Sequence, residues 1–278
     1  MKKILVPTDF SIASKKATDY AVALAELYES KIVLMHAYAP LIYDPAMLTY
    51  IDTSEISQLK NHELKKLEQE KKRITRRLKS PVTSVFVEGM TKQSILTAIK
   101  KSAPQIVVMG TTGNSALEKS IFGSISLSVI NDCHKSVLVV PEKAQVGKIK
   151  RIVFATDYHE NDIKAISMLI DLAEKTKAKI EVIHIANEDF SNEYEKESMN
   201  ALKEKIERKH NIAALSYHIL KGDKIATEIE KYCMKSKATL LALSRESRSF
   251  FTQILIPSIT KKMIYHSEIP LLVFGAKE

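Results

Sequence analysis

Glycine is scarce in this chain: 278 residues hold seven, where average usage of about 7% would supply roughly 19. Few turns can therefore rest on backbone angles that only glycine adopts freely. Cysteine is nearly absent too. Cys133 and Cys233 are the whole complement, which excludes a disulfide framework and a cysteine metal site and fits a reducing compartment; both read as buried thiols, with a redox switch as the alternative. No apolar run approaches the roughly 20 residues of a membrane helix, and Met1–Pro7 is too short for a signal peptide. A cytoplasmic protein with no membrane partner is expected. The chain also lacks HExxH, GxSxG, clustered metal ligands and any acidic pair at a recognisable catalytic spacing. No catalytic residue and no metal site are assigned. Neither Gly-x4-Gly-Lys-Ser/Thr nor Gly-x-Gly-x-x-Gly occurs.

With 45% hydrophobic and 27% charged residues, the chain can bury substantial cores, and its length suits two domains. Short apolar runs alternate with helical periodicity. Lys3 to Pro7, Lys31 to Ala37, Val82 to Val87, Gln105 to Met109 and Ser136 to Val140 read as strands. Between them lie helices, among them one with Ala17, Tyr20, Ala21, Leu24, Ala25 and Tyr28 on one face and a charged one from about Ser54 to Lys79. The alternation predicts an α/β protein with a parallel sheet, right-handed crossovers and helices on both faces. A doubly wound strand order 3-2-1-4-5 would put a ligand crevice beyond the carboxyl ends of strands 1 and 4.

Three of the seven glycines, Gly110, Gly113 and Gly123, lie between the fourth strand and a helix with Ser124 near its N-cap. Glycines allow close backbone approach, and the free N–H groups of a helix start favour an anion. The spacing Gly110-x2-Gly113-x9-Gly123-Ser124 resembles the ATP-binding loop of the universal stress protein family. The plainer alternative is a glycine turn that merely closes a strand–helix connection. The resemblance implies a nucleotide held by Pro7, Thr8, Asp9, Ala37, Met109, Gly110, Thr111, Gly113, Asn114, Gly123, Ser124, Ile125 and Ser126, with ATP, alone or with Mg, as cofactor. In it, Asp9 would accept hydrogen bonds from adenine or ribose, and the Ala37 backbone would read the adenine edge. Asp9 and Thr8 have equally good readings as turn or capping residues, and Ser124 as a helix cap.

At Lys150 the chain starts again. Thr8 and Thr156, Asp9 and Asp157, His36 and His184 are each 148 residues apart, and a constant offset signals internal duplication. The resemblance thus covers the chain in tandem, with domains 1–146 and 147–278 and residues 142–150 as linker. The second copy has lost the glycines: Ser244, Ser247 and Pro257 take their places, with Arg245 and Arg248 nearby. It is expected to hold no ATP in the same manner, and serves as a partner domain or takes a different anion. His36 and His184, at equivalent strand ends, read as fold residues.

Together these features point to a nucleotide-binding stress sensor or regulator, binding ATP or another adenine nucleotide in the first copy. Without a positioned base, any hydrolysis would be slow, and a slow ATPase is one alternative. Nucleic-acid binding is the other, from a net charge of +9 and pI near 9.2. The basic stretch Lys60–Lys79 carries nine Lys/Arg against three acids but no aromatic interleaving, and Leu64, Leu67, Ile74 and Leu78 mark it as an amphipathic surface helix. Family resemblance implies pairing of the two copies through their fifth strands, Val137–Val140 and Leu271–Phe274, and leaves room for a homodimer.

Overall fold

The computed structural model describes residues 1–39, 53–111, 124–187, 192–210, 215–244 and 269–275, which divide into two compact units, Met1–Cys133 and His134–Glu278.

In the first unit β1 (Lys3–Pro7), α1 (Ile12–Tyr28), β2 (Lys31–Tyr38), α2 (Thr53–Thr75), β3 (Val82–Glu88), α3 (Thr91–Ser102), β4 (Ile106–Gly110) and α4 (Ser124–Asp132) follow one another. The strands lie in the order β3-β2-β1-β4, parallel throughout, with Pro7 beside Met35 and Leu5 beside Val107. Ile4, Leu5, Leu34, Met35 and Val107 are almost wholly buried, as unbroken apolar runs must be when helices cover both faces of a sheet. Right-handed crossovers put α1 and α2 on one face and α3 on the other. Accordingly Arg73 of α2 bonds Asp19 of α1 at 2.6 Å, and α3 packs with α4.

The second unit begins with β5 (Ser136–Val140) and continues through β6 (Arg151–Ala155), α5 (Glu160–Thr176), β7 (Lys179–Ala186), α6 (Asn192–Glu207), β8 (Leu215–Lys221), α7 (Ile225–Ser236), β9 (Leu240–Ser244) and β10 (Leu271–Phe274). Its strand order is β5-β10-β9-β6-β7-β8. All pairs there are parallel except β5 with β10, which run antiparallel with Val139 opposite Leu271 and Val137 opposite Val273. Five parallel strands were expected in each copy. The second copy has them, in the order β8-β7-β6-β9-β10, and all five residues of β5 are buried.

Glycine scarcity shows at the helix ends. α1, α3, α5 and α7 stop at Glu29, Ala103, Lys177 and Lys237, each left-handed with φ of 44° to 56°, a position where glycine is usual.

The candidate nucleotide crevice and its duplicate

The crest of the first unit is built where β1 leaves the sheet. Thr8 still donates its N–H to Met35 at 2.8 Å, but Phe10 turns left-handed at φ 62°, a conformation uncommon for a bulky residue. Polar side chains hold that turn. The Thr8 hydroxyl accepts from the Phe10 N–H at 3.1 Å and donates to Ser14 Oγ at 3.1 Å. Asp9 Oδ1 accepts from the Ser11 N–H at 3.1 Å and its hydroxyl at 2.6 Å, and Ser11 caps α1 by accepting from the Ser14 N–H at 3.2 Å. The turn reading of Thr8 and Asp9 therefore has direct geometric support. Asp9 remains half-buried at the end of β1.

β4 ends beside β1, so Pro7, Thr8, Asp9, Met109, Gly110 and Thr111 converge at one end of the sheet, with Ala37 on the adjoining strand β2. A β-carbon on Gly110 would stand 2.7 Å from the Ala13 carbonyl carbon and 2.9 Å from both the Ala13 oxygen and the Ser14 nitrogen. No side chain fits against that backbone, so the approach of α1 by itself requires glycine here. Across the crevice α4 opens at Ser124. Ser126 is buried and donates its hydroxyl to the Gly110 carbonyl at 2.8 Å, which fixes the first turn of α4 against the end of β4. Ile125 is half-buried on the same turn. Gly113, Asn114 and Gly123 lie outside the described residues.

The second unit repeats the crest with altered chemistry. Thr156 N–H bonds Ile183 at 2.9 Å, Tyr158 is left-handed at φ 66°, and its N–H reaches Thr156 Oγ1 at 2.9 Å. Where the first unit has Ser14, the second has Asp162. That carboxyl is fully buried and accepts the Thr156 hydroxyl at 2.5 Å. Burial, reinforced by Asp157 and opposed by the Thr156 hydroxyl, pushes its pKa up to about 6. Ser244 stands where the first unit has Gly110, and its side chain faces the Asp162 carboxyl of α5. Ser247 and Pro257, with Arg245 and Arg248, lie outside the described residues.

The histidines are fold residues in a specific sense that sequence reasoning left open. His36 Nδ1 lies 2.7 Å from the Thr8 carbonyl and His184 Nδ1 2.8 Å from that of Thr156. Each ring packs on the left-handed aromatic, Phe10 at 4.6 Å and Tyr158 at 4.3 Å between centroids. Ser14, Phe10 and Glu63 were missed as parts of this crest; the matching of Phe10 with Tyr158 at the repeat offset was the available signal.

A model of the universal stress protein family matches residues 1–141 and again residues 148–275. The chain belongs to the universal stress protein family. A universal stress protein of Methanocaldococcus jannaschii is 30% identical over 142 residues, 50% of this chain and 81% of that protein. One from Bacillus subtilis is 28% identical over 145 residues, 50% of this chain and 97% of its own. The crystal structure of a universal stress protein from Archaeoglobus fulgidus matches with a TM-score of 0.77 at 22% identity, over 99% of this chain and 97% of that one. The tandem architecture of this universal stress protein is thus shared with a solved structure along its length.

Two other readings fare less well on the geometry. Much of the basic charge near α2 is spent in ion pairs: Lys66 with Glu63, Lys71 with Glu68, Arg73 with Glu70 and Asp19, Arg77 with Asp19, while Leu67, Ile74 and Leu78 are buried. Both cysteines are buried and outside any disulfide, and desolvation pushes the Cys233 thiol up to about 12, far from a reactive thiolate. Among the described residues no helix is long and apolar enough to cross a membrane.

Proposed function

We propose that this universal stress protein binds one ATP, or another adenine nucleotide, in its first repeat and works as a nucleotide-responsive stress sensor or regulator. The observation that carries this reading is the convergence at one crevice of the β1 end, the β4 end and the first turn of α4, the last two joined by the Ser126–Gly110 hydrogen bond. That turn holds no acidic residue, so its dipole and free N–H groups favour phosphate. Pro7, Thr8 and Asp9, on the β1 side of the crevice, and Ala37, on β2, would take the base and ribose. Residues of the glycine loop, Gly113, Asn114 and Gly123 among them, complete the proposed set. Mg would arrive on the phosphates, since among the described residues no three ligating side chains gather into a metal site.

The second repeat offers a phosphate a poorer seat. It buries the Asp162 carboxyl beneath its crest, and the glycine positions carry side chains. Pairing of the repeats through their fifth strands, a homodimer and action in the cytoplasm belong to the same proposal. The test is mass spectrometry of nucleotide carried by natively purified protein, followed by calorimetric titration with ATP. One site per chain is expected; two equivalent sites, or none, would refute the reading.

A further inference from the structure

We propose that His36 is a positioning residue of the first crevice: held between Phe10 and Phe86, it fixes the Thr8–Asp9 peptide and carries α2 into that linkage through Glu63. The proposal rests on the nucleotide reading of that crevice. A β1 carbonyl inside the sheet is satisfied by its ladder, but at Thr8 the chain is turning away, and a buried carbonyl without a donor is costly. His36 supplies the donor at 2.7 Å. A carbonyl only accepts, so Nδ1 carries the hydrogen. The Thr8 side of the turn is then gripped twice from β2, through its N–H by Met35 and through its carbonyl by His36. That carbonyl belongs to the peptide leading into Asp9, and its orientation sets where Asp9 points.

The ring is itself located from three directions. Phe10 packs on it at 4.6 Å and Phe86 of β3 at 5.7 Å, with Tyr38 stacked behind Phe86 at 5.9 Å. Its second nitrogen faces Glu63 Oε2 of α2 at 3.6 Å. An ionised carboxylate cannot donate, so this contact is attractive when Nε2 carries a proton as well. Glu63 is also held by Lys66 at 2.8 Å, whose ammonium lies 5.8 Å from the Phe10 ring centre. Movement of α2 is thereby transmitted through one ring to the peptide beside Asp9.

The duplicate shows that this contact set is built rather than incidental. His184 faces Glu195 of α6 at 3.1 Å, yet Glu195 follows its histidine by 11 residues and Glu63 follows by 27. Two helices of different register bring a carboxylate to the same ring nitrogen. The second unit, lacking the glycines, therefore serves as an internal control in which the tie exists without the proposed nucleotide.

The test measures ATP affinity by calorimetry and thermal midpoint together in the full chain. His36→Phe keeps an aromatic ring but removes the donor, and should weaken ATP roughly 5- to 10-fold, the scale of one hydrogen bond. His36→Asn puts an amide N–H near the Nδ1 position and should recover most of that loss. His36→Gln, which reaches toward the Nε2 position, should not. His184→Phe should lower the thermal midpoint while leaving ATP affinity within about twofold, since the lost bond lies in the other unit. If His36→Phe does not fold, the Asn and Gln variants decide: tighter ATP binding by Asn supports the proposal. Equal affinities for those two, or unchanged binding in His36→Phe, overturn it while leaving the nucleotide reading standing. A wild type that takes up no adenine nucleotide overturns both.

Discussion

Thr156 donates its hydroxyl to Asp162 at 2.5 Å in the second unit, at the place where Thr8 meets the Ser14 hydroxyl at 3.1 Å in the first. One repeat buries a titratable acid under its crest and the other buries a neutral alcohol. Burial raises the Asp162 pKa from 3.8 to about 6, so the folded state holds the proton more tightly than the unfolded chain does. The resulting stabilisation is fully present below pH 3.8 and is lost as pH rises through about 6. A shift of this size corresponds to about 3 kcal/mol. Urea unfolding of the second unit should therefore show this contribution falling between pH 4 and pH 6.5. Asp162→Asn should flatten that part of the profile. An unchanged slope in the variant would assign the pH dependence to other groups.

Gly110 makes a different prediction. Its missing β-carbon is required by the backbone of Ala13 and Ser14, so Gly110→Ala should destabilise the first unit by about 1 to 3 kcal/mol even without nucleotide. Gly113→Val and Gly123→Val, where the proposed ligand is the neighbour, should weaken ATP roughly 10- to 150-fold, the loss of a charge-assisted hydrogen bond. Calorimetry alongside thermal melts separates the two kinds of glycine. Full apo stability in Gly110→Ala would show that α1 can yield.

How far the sequence carried the argument depended on whether a feature is local or tertiary. Apolar runs such as Ile4–Val6 and Ile32–Met35 announce buried strands, and the offset linking Thr8 with Thr156 announces the duplication. The crest did not read out as easily. That Phe10 would be left-handed, that Ser14 would meet Thr8, and that His36 would serve the Thr8 carbonyl all depend on where the chain leaves the sheet. Gly110 drew attention as a ligand residue because it stands in a glycine motif; the helix pressed against it could be seen only in three dimensions. β5 was read correctly as a strand, and the expectation that it would meet β10 came from the family resemblance rather than from any local pattern.

The left-handed caps offer a route to stabilisation. Ala103 ends α3 at φ 44° and ψ 59°, where a β-carbon costs about 1 to 2 kcal/mol. Glycine removes that strain and gives back about 0.5 to 1 kcal/mol in unfolded-state entropy. Ala103→Gly should then raise the melting temperature of the first unit by about 2 to 4 °C. A lowered midpoint would mean that the Ala103 methyl contributes packing that outweighs its backbone strain.

Val139 tests the β5–β10 edge. It is fully buried and lies opposite Leu271, and its neighbour Leu138, pointing to the other face of the strand, is 2% exposed. Strands with one wet face alternate in their tolerance of charge, but β5 is buried at every position, so both faces should be intolerant. Val139→Asp and Leu138→Asp each remove apolar packing and bury a carboxyl without a partner, at about 4 kcal/mol apiece. Urea midpoints measured at constant m-value should fall by similar amounts in the two variants. If either variant is as stable as the wild type, that face of β5 is in water, and the antiparallel contact with Leu271 and Leu272 does not hold the edge of the second unit.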